Sequence, residues 1–364
     1  MYWQDGELVF ENYALRTQIS ADPLVCSILH FCGQWRTVRA IHSHLGAYAE
    51  FSVRGTLDQL CKNGVLERFG EKPDSSVFAM NGWAAWNPAA GFFHFSTKDT
   101  DFALDQYGAF EEVRRRAKHD PMPMPVKHYP KAPRTKLPRT DSQSEFTSAL
   151  MNRRTWRKYG RGPVPLQSLA QILELTFSVR EWVTIPGLGR VATKTSPSGG
   201  SLHPIEAYVL ARRVAGLKPG FYHYDSMRHE LEWLRVGVAR PTLERTLANQ
   251  WWFARGAVLV IMTAVFRRTQ WKYEFPRTYR VVLAEAGHLC QTFCLTATWL
   301  GLAPFCTMAF KDTKWEEWLG IDGVNESILY VAGAGTPPSG SEMKFANILT
   351  SGKRTTSALK PSRG

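Results

Sequence analysis

The stretch that decides the fold is Thr195-Ser-Pro-Ser-Gly-Gly-Ser-Leu-His-Pro-Ile-Glu-Ala-Tyr-Val209, in which small residues run into an amphipathic segment. Small side chains let the backbone come within contact distance of a flat or anionic ligand. A helix starting near Pro204 would direct its amino end at that ligand. The stretch predicts a ligand-binding loop, although a glycine-rich loop alone is a weak signal.

A second informative segment, upstream of this loop, is Arg153-Arg-Thr-Trp-Arg157. Three guanidinium groups and one hydroxyl suit a phosphate or an electron-rich carbonyl edge. The ordinary alternative is a basic helix end that complements its own dipole, and the segment alone favours that alternative. The two segments together are far more specific than either.

The composition indicates a soluble protein with a large core. The chain has 364 residues, of which 44% are hydrophobic, and this length predicts two domains or one large domain with an appendage. The longest apolar runs, such as Ala257–Val265, are too short for a membrane span, and the N-terminus lacks a basic export signal. We expect a cytoplasmic protein that does not enter a membrane.

The six cysteines and the charge balance leave the ligand open. Cys290 and Cys294 lie four residues apart in an apolar segment, where thiols serve as small hydrophobes; a metal site with His288 is the weaker alternative, and we predict no metal. The net charge of +13 favours either a solvated basic surface or an anionic partner. The cations do not follow one helix face, which argues against nucleic acid.

The N-terminal region predicts a small helical module. Helices are expected from Asp22-Pro23, around Val38–Leu45 and over Ser52–Cys61, followed by a turn at Asn63-Gly64 and a strand. This order is typical of a winged helix, which would bind DNA or a peptide or serve as a packing appendage. The third helix carries too few cations for a DNA-recognition helix.

Shifts in composition along the chain divide it into four predicted segments. They are a winged-helix-like module (1–95), a Pro-rich basic connector (96–142), the main domain (143–350) and a polar C-terminal tail (351–364). The sequence pattern of the main domain predicts an α+β fold. Its helices are expected at Ser144–Asn152, Pro165–Ser178 and Tyr279–Leu300, and its strands within Ile205–Val214 and at Gly220–Tyr224, Leu231–Arg235, Ala257–Val265 and Ser327–Val331.

Several spaced motifs resemble the nitroreductase fold, a family that binds flavin mononucleotide (FMN). Besides the two segments above, these motifs are Gly216–Asp225, Lys272-Tyr273 with Arg277–Arg280, Glu285–Leu289 and Gly301–Pro304. The closest resemblance is to the SagB/ThcOx-type peptide dehydrogenases, which oxidise azolines to azoles in ribosomally made peptides. Motifs in one order are much harder to obtain by chance than a single motif. Members of this branch often carry a winged-helix-like peptide-recognition region, which the N-terminal module fits.

The resemblance implies which residues hold the flavin. Cations near the flavin edge would stabilise the charge of its reduced form. His203 either faces the cofactor or is a satisfied structural histidine. The implied cofactor-binding residues are Arg153, Arg154, Thr155 and Arg157 near the phosphate and pyrimidine edge, Ser198, Gly199, Ser201 and His203 at the ring system, Met308 and Ala309 near N5, and Lys353 and Arg354 as a C-terminal basic pair.

The resemblance also assigns catalysis to Lys272 and Tyr273. Oxidation of an azoline removes a hydride equivalent and a proton, and the proton needs a base beside the substrate carbon. A desolvated lysine can serve as that base and a tyrosine can orient it. Without the surrounding motifs, the pair would read as a solvated lysine in an aromatic stretch. Glu274-Phe275-Pro276 replaces the glycine common after this pair, which puts the substrate in doubt.

Three functions remain open at this point. The first is an FMN-dependent dehydrogenase acting on a modified precursor peptide, with a cyclodehydratase as candidate partner and a homodimer as the expected assembly. The second is an NAD(P)H-dependent reductase of nitro, quinone or dehydroamino-acid substrates. The third is a peptide- or DNA-binding protein with a silent flavin domain.

Overall fold

The computed structural model describes residues 1–71, 75–100, 106–127, 133–138, 144–187, 189–248 and 250–340. The predicted basic pair Lys353 and Arg354, together with the whole tail 351–364, lies outside the described residues.

The N-terminal unit is a three-stranded antiparallel sheet followed by three helices. The sheet has the order β1-β2-β3, and the helices enclose a small apolar core around Ile28, Val53 and Leu60. The first helix begins as predicted, because the Asp22 side chain accepts a hydrogen bond from the Val25 amide at 2.8 Å. The elements are β1 (Tyr2–Gln4), β2 (Glu7–Asn12), β3 (Thr17–Ser20), α1 (Pro23–Phe31), α2 (Val38–His44) and α3 (Glu50–Lys62).

The three helices are confirmed, but the strand predicted after Asn63-Gly64 is wrong. Residues 65–68 form no strand, and the strands of this unit precede the helices. The turn is instead fixed to the sheet, since Asn12 Nδ2 donates to the Gly64 carbonyl at 2.7 Å and Thr17 Oγ1 to the Asn63 carbonyl at 2.6 Å. The helix, helix, helix, strand order of a winged helix is therefore not observed.

The aromatic segment after this unit packs into the core of the larger one. Trp83 and Trp86 are fully buried, and Trp83 Nε1 donates to the Val324 carbonyl at 2.9 Å. Lys98 forms an ion pair with Glu316 at 2.6 Å, with both side chains largely buried. The segment contains α4 (Ser75–Gly82) and α5 (Ala89–Ser96), and α6 (Gln106–Ala117) follows. Packing thus joins the segment from Trp83 to Lys98 to the main domain.

The main domain is built on a six-stranded antiparallel sheet of order β10-β11-β9-β6-β7-β8, with a separate β4–β5 hairpin. Its strands are β4 (Glu181–Ile185), β5 (Gly189–Thr193), β6 (Ile205–Ala211), β7 (Gly220–Asp225), β8 (Glu230–Val236), β9 (Val258–Val265), β10 (Ala303–Thr307) and β11 (Glu326–Gly335). Its helices are α7 (Glu145–Asn152), α8 (Leu166–Phe177), α9 (Arg240–Thr246), α10 (Phe266–Gln270), α11 (Tyr279–Trp299) and α12 (Asp312–Leu319). The predicted main-domain strands and the helices predicted at Ser144–Asn152, Pro165–Ser178 and Tyr279–Leu300 are confirmed.

Strand β9 explains why the sheet can sit at the centre of the domain. Successive side chains of a strand point to opposite faces. Val260 and Met262 enter the hydrophobic cluster beneath α8 and α11, whereas Leu259 and Ile261 enter the cluster beneath α9 and α12. The continuous apolar run of the sequence is therefore a strand covered on both faces. In the part of the chain that the structure describes, no helix is both long and apolar enough to cross a membrane.

Candidate active site

The Ser/Gly loop lies between the β4–β5 hairpin and strand β6. Gly199–Ser201 form a single 3-10 turn, in which Gly200 has φ of +70°. The segment after the loop is β6, so the predicted helix starting near Pro204 is wrong. Pairing of this segment with β7 and β9 in the central sheet prevails over the helical signal of the proline. The segment after the loop therefore offers a strand, and not a helix end, to a ligand.

The loop is anchored on the first half of α11. Ser198 Oγ donates to Glu285 Oε2 at 2.6 Å and accepts from the His203 amide at 2.9 Å. A Cβ atom at Gly199 would lie 2.5 Å from Cγ1 of Val281, so the loop and the helix are in direct contact there. The predicted flavin-contacting hydroxyl of Ser198 thus has a structural partner within the chain.

The predicted catalytic pair lies directly over Gly200. A Cβ atom at this glycine would be 2.8 Å from Tyr273 Oη and 3.0 Å from Lys272 Nζ. The pair follows α10, and its backbone is fixed because Trp86 Nε1 donates to the Tyr273 carbonyl at 3.0 Å. Two segments that are far apart in the sequence therefore form one site.

Lys272 is exposed in the single chain, whereas Tyr273 is half-buried. The Lys272 ammonium lies 5.4 Å from the centre of the Tyr273 ring. The desolvation expected of a lysine base is thus not provided by the chain alone. Glu274-Phe275-Pro276 does not separate the pair from the loop; the chain enters a short 3-10 turn at Pro276–Thr278 immediately afterwards.

The arginine cluster lies at the other end of α11, against β10. Arg153 is the C-terminal cap of α7, and the Trp156 amide donates to the Pro304 carbonyl at 2.9 Å. The Arg154 guanidinium stacks over the Trp156 ring at 4.3 Å, and burial lowers its pKa. Thr155 and Arg157 are half-buried. The structure thus places the cluster and the Ser/Gly loop along one helix, each with its own contacts.

His203 has the surroundings of a structural histidine. Its Nε2 lies 2.9 Å from the Ala192 carbonyl, its Nδ1 lies 3.9 Å from Glu285 Oε1, and only 9% of the residue is exposed. Burial lowers the pKa of His203, assisted by the positive charge of Lys194. A neutral imidazole donating to a carbonyl fits this environment.

The end of β10 holds the residues predicted near flavin N5. Met308 is 59% exposed, and the Ala309 amide donates to Thr307 Oγ1 at 3.0 Å. This hydrogen bond closes a local turn immediately after β10, at the buried Thr307.

A partly buried charged network beside the loop was not among the predicted site residues. Arg268 donates to the His203 carbonyl at 2.9 Å and pairs with Glu206 at 2.5 Å. His223 contacts Glu206 at 3.2 Å, and hydrogen bonding to Glu206 raises the pKa of His223 to about 9. In the sequence, Glu206 and Arg268 stand out only because they lie in or near the ligand-binding motifs. The contact between Glu206 and His223 depends on the register of β6 with β7, which the sequence does not show.

Glu285 begins the quoted motif Glu285–Leu289, but the sequence assigned no role to it. It is 3% exposed, and burial raises its pKa to about 7 although the Ser198 hydrogen bond acts in the opposite direction. A carboxyl group that changes protonation near neutral pH therefore holds the Ser/Gly loop on α11.

A cluster of three thiols lies beside the second half of α11. The Sγ atoms of Cys290, Cys294 and Cys306 are within 4.8 Å of one another. The sequence paired the first two but could not add Cys306, which arrives from β10. Hydrogen bonding from the Cys290 and Cys294 thiols lowers the pKa of Cys306.

The comparison with protein families identifies the class of this fold and site. The model described as "Nitroreductase family" matches residues 150–336, which is more than half of the chain. The chain belongs to the nitroreductase family. This membership places it among oxidoreductases, and proteins of the family generally bind FMN.

Individual relatives share this similarity, and the match with one of them extends beyond the domain. A protein of Methanocaldococcus jannaschii named as a nitroreductase, MJ1384, is 32% identical over 177 residues, which cover 49% of this chain and 85% of the relative. The trifolitoxin-processing protein TfxB of Rhizobium leguminosarum bv. trifolii is 25% identical over 307 residues, which cover 78% of this chain and 80% of the relative. A solved structure from Anabaena variabilis, also named as a nitroreductase, is 25% identical with a TM-score of 0.45, and the match covers 53% of this chain and 38% of that one.

Proposed function

We propose that this protein is an FMN-dependent dehydrogenase that oxidises azoline rings to azoles in a ribosomally made, modified peptide. The observation that carries the proposal is the convergence of Tyr273 Oη and Lys272 Nζ on Gly200 of the Ser/Gly loop. A proton acceptor and a loop whose glycines carry no side chains of their own then occupy one site.

The donor set of the chain fits FMN. Arg153, Thr155 and Arg157 supply two guanidinium groups and a hydroxyl for the phosphate and the pyrimidine edge. Arg154 stacks on Trp156 and supports this segment. FMN, when bound, supplies the acceptor for the hydride equivalent that leaves the azoline ring.

The Ser/Gly loop fits the ring system of the flavin. Its contact points Gly199 and Gly200 have no space for a Cβ atom, so larger residues there would push into α11 or into the catalytic pair. Ser198 and Ser201 flank these glycines, and the backbone at Met308 and Ala309 is the proposed partner of N5. His203 is assigned a supporting role from its own contacts with Ala192 and Glu285.

The proton of the azoline carbon goes to Lys272 Nζ in this proposal. Tyr273 Oη orients the substrate and the lysine, because both groups are held over the same loop residue. Lys272 is exposed in the single chain, so the bound peptide and a second subunit would have to cover it. Removing water from the ammonium group favours the neutral amine that accepts a proton.

The N-terminal unit is proposed to dock the precursor peptide. A groove of 1440 Å³ runs between its sheet and helices, and its lining includes the side chains of Trp35, Arg36, Val38, Arg54 and Phe69. Trp35 and Phe69 are 62% and 88% exposed, so the groove offers apolar and cationic contacts to a peptide. The match with TfxB, whose name assigns that relative to trifolitoxin processing, covers 78% of the chain and so exceeds the nitroreductase domain.

A homodimer is part of the proposal. Large apolar side chains are exposed on α7 and on the β4–β5 hairpin, among them Phe146 at 68%, Met151 at 77% and Trp182 at 43%. Exposed apolar side chains of this size are typical of subunit interfaces. A cyclodehydratase is the proposed partner enzyme, because it would produce the azoline that this protein consumes.

The family membership and the match with MJ1384 favour one alternative, an NAD(P)H-dependent reductase of nitro, quinone or dehydroamino-acid substrates. The two functions differ in the direction of electron flow. Rapid reduction of the bound flavin by NAD(P)H, coupled to substrate reduction, would favour the reductase.

The test uses the full chain loaded with FMN and an azoline-containing peptide, with mass spectrometry as the readout. The wild-type protein should remove two hydrogen atoms per ring. Lys272→Met should keep FMN and lose this activity, whereas the matched variant Lys314→Met, at an exposed lysine on α12, should keep both. Full activity of Lys272→Met would overturn the assignment of the base.

A further inference from the structure

The thiol cluster of Cys290, Cys294 and Cys306 is not used by the proposed dehydrogenase. Cys290 and Cys294 are each 3% exposed, and their spacing of four residues places both on one face of α11. Cys306 reaches them from β10 and is less buried. Among the residues that the structure describes, these three cysteines form the group of potential metal ligands whose donor atoms lie within 4.8 Å of one another.

Packing alone does not account for the arrangement of the sulfur atoms. A cysteine that serves as a small hydrophobe has no need to direct its sulfur at two others. Here three sulfurs from two separate elements lie within 4.8 Å of one another. A zinc–sulfur distance of about 2.3 Å places the sulfurs of a tetrahedral site about 3.8 Å apart, so small side-chain rotations suffice.

The surroundings suit a cation bound by thiolates. Three thiolates and one divalent ion carry a net negative charge, and Arg153 is close enough to interact electrostatically with Cys294 and Cys306. Tyr330 Oη donates to Cys306 Sγ at 3.7 Å and so lies beside the less buried edge of the cluster. Hydrogen bonds to ligand sulfurs from neighbouring groups are a regular feature of such sites.

We propose that Cys290, Cys294 and Cys306 bind one zinc ion, with the fourth position open toward Tyr330. Thiolate ligands select zinc over the hard cations magnesium and calcium, and three protein ligands leave a position for water. The ion would tie the C-terminal half of α11 to β10, the strand that leads to Met308. This site does not depend on the flavin or on the azoline reaction.

The experiment titrates the reduced, chelator-stripped full chain with zinc chloride against a chromophoric competing chelator. The wild-type chain should bind one equivalent. Cys306→Ser should bind on the order of 100-fold more weakly or not at all, whereas Cys61→Ser, at a partly buried cysteine of the N-terminal unit, should bind like wild type. Equal binding by the wild type and Cys306→Ser would overturn the proposal.

A second measurement needs no variant and therefore does not depend on folding of the serine mutant. The wild-type chain is alkylated under native conditions with and without zinc, and each cysteine is quantified by peptide mass spectrometry. Zinc should slow the labelling of Cys306 by at least 10-fold and leave Cys26, Cys32 and Cys61 unchanged. Failure of zinc to bind stoichiometrically, or labelling of Cys306 that zinc does not change, contradicts the site.

Discussion

The most informative single perturbation is Gly200→Ala. The substitution adds one methyl group at the point where the Ser/Gly loop meets Lys272 and Tyr273. The new Cβ atom would lie 2.8 Å from Tyr273 Oη and 3.0 Å from Lys272 Nζ. Since ordinary contacts begin near about 3.5 Å, both terminal groups must retreat by roughly 0.5–1 Å.

Two energetic effects follow from this change. A left-handed conformation costs an alanine about 1–2 kcal/mol, and Gly200 has φ of +70°. The free energy of unfolding should fall by about that amount. A displacement approaching about 1 Å at a catalytic group can cost about 100-fold in rate, so the turnover of an azoline peptide should fall roughly 10–100-fold.

The assay separates these effects by means of a matched variant. Gly320→Ala places an alanine at φ of +74° at the end of α12, where no atom lies within 4 Å of the new Cβ. It should lose similar stability in urea denaturation and keep full turnover, with FMN content measured in both proteins. If Gly200→Ala turned over the peptide at the rate of Gly320→Ala, the catalytic pair would not depend on its position over the loop.

Three further outcomes are expected. Arg157→Ala should weaken FMN binding by roughly 10–100-fold, as a charge-assisted hydrogen bond contributes about 1.5–3 kcal/mol, and unchanged retention on dialysis would remove this residue from the cofactor site. Burial raises the pKa of Glu285 to about 7 from 4.5, so the folded state holds the proton more tightly and unfolding free energy should fall by about 3 kcal/mol as pH rises between these values. Glu285→Gln should lack this loss in urea melts, and a variant with the wild-type pH profile would contradict the reasoning. A protein kept monomeric by Phe146→Glu and Met151→Glu should lose FMN during gel filtration, whereas a monomer that retains it would argue against a flavin held between subunits.

The elements of the main domain followed from the sequence because their patterns are long and consistent. Helices α8 and α11 repeat apolar residues at helical spacing, and β9 is a continuous apolar run covered on both faces. The secondary structure after Pro204 was harder to predict, because proline is common both at the start of a helix and next to the start of a strand. Pairing of β6 with β9 decided in favour of a strand.

The N-terminal unit shows where local patterns are insufficient. Strand β3 contains four residues and β1 three, too few for alternation to be recognised. The turn at Asn63-Gly64 resembled a hairpin signal, but its partners are side chains of the preceding sheet, including Asn12 and Thr17. Short strands are specified by contacts with other elements, which a local pattern does not contain.

The residues of the candidate site also fall into two groups, those that the sequence revealed and those that only the packing revealed. The Ser/Gly loop and Lys272-Tyr273 were visible as motifs, and the fold brings them together over Gly200. Glu285, Arg268 and Cys306 became apparent only from the packing of α11, α10 and β10 around the loop and the helix. Groups that act through partners on other elements leave little trace in the sequence.

The central claim is that this site removes hydride and proton from an azoline ring, with Lys272 as the base. The most direct measurement is an anaerobic single turnover with FMN-loaded protein, an azoline peptide and no other electron acceptor. The account predicts that flavin absorbance bleaches in proportion to azole formed, and that Lys272→Met shows neither change. An unaltered azoline and an oxidised flavin in the wild-type protein, with rapid bleaching by NAD(P)H, would contradict it.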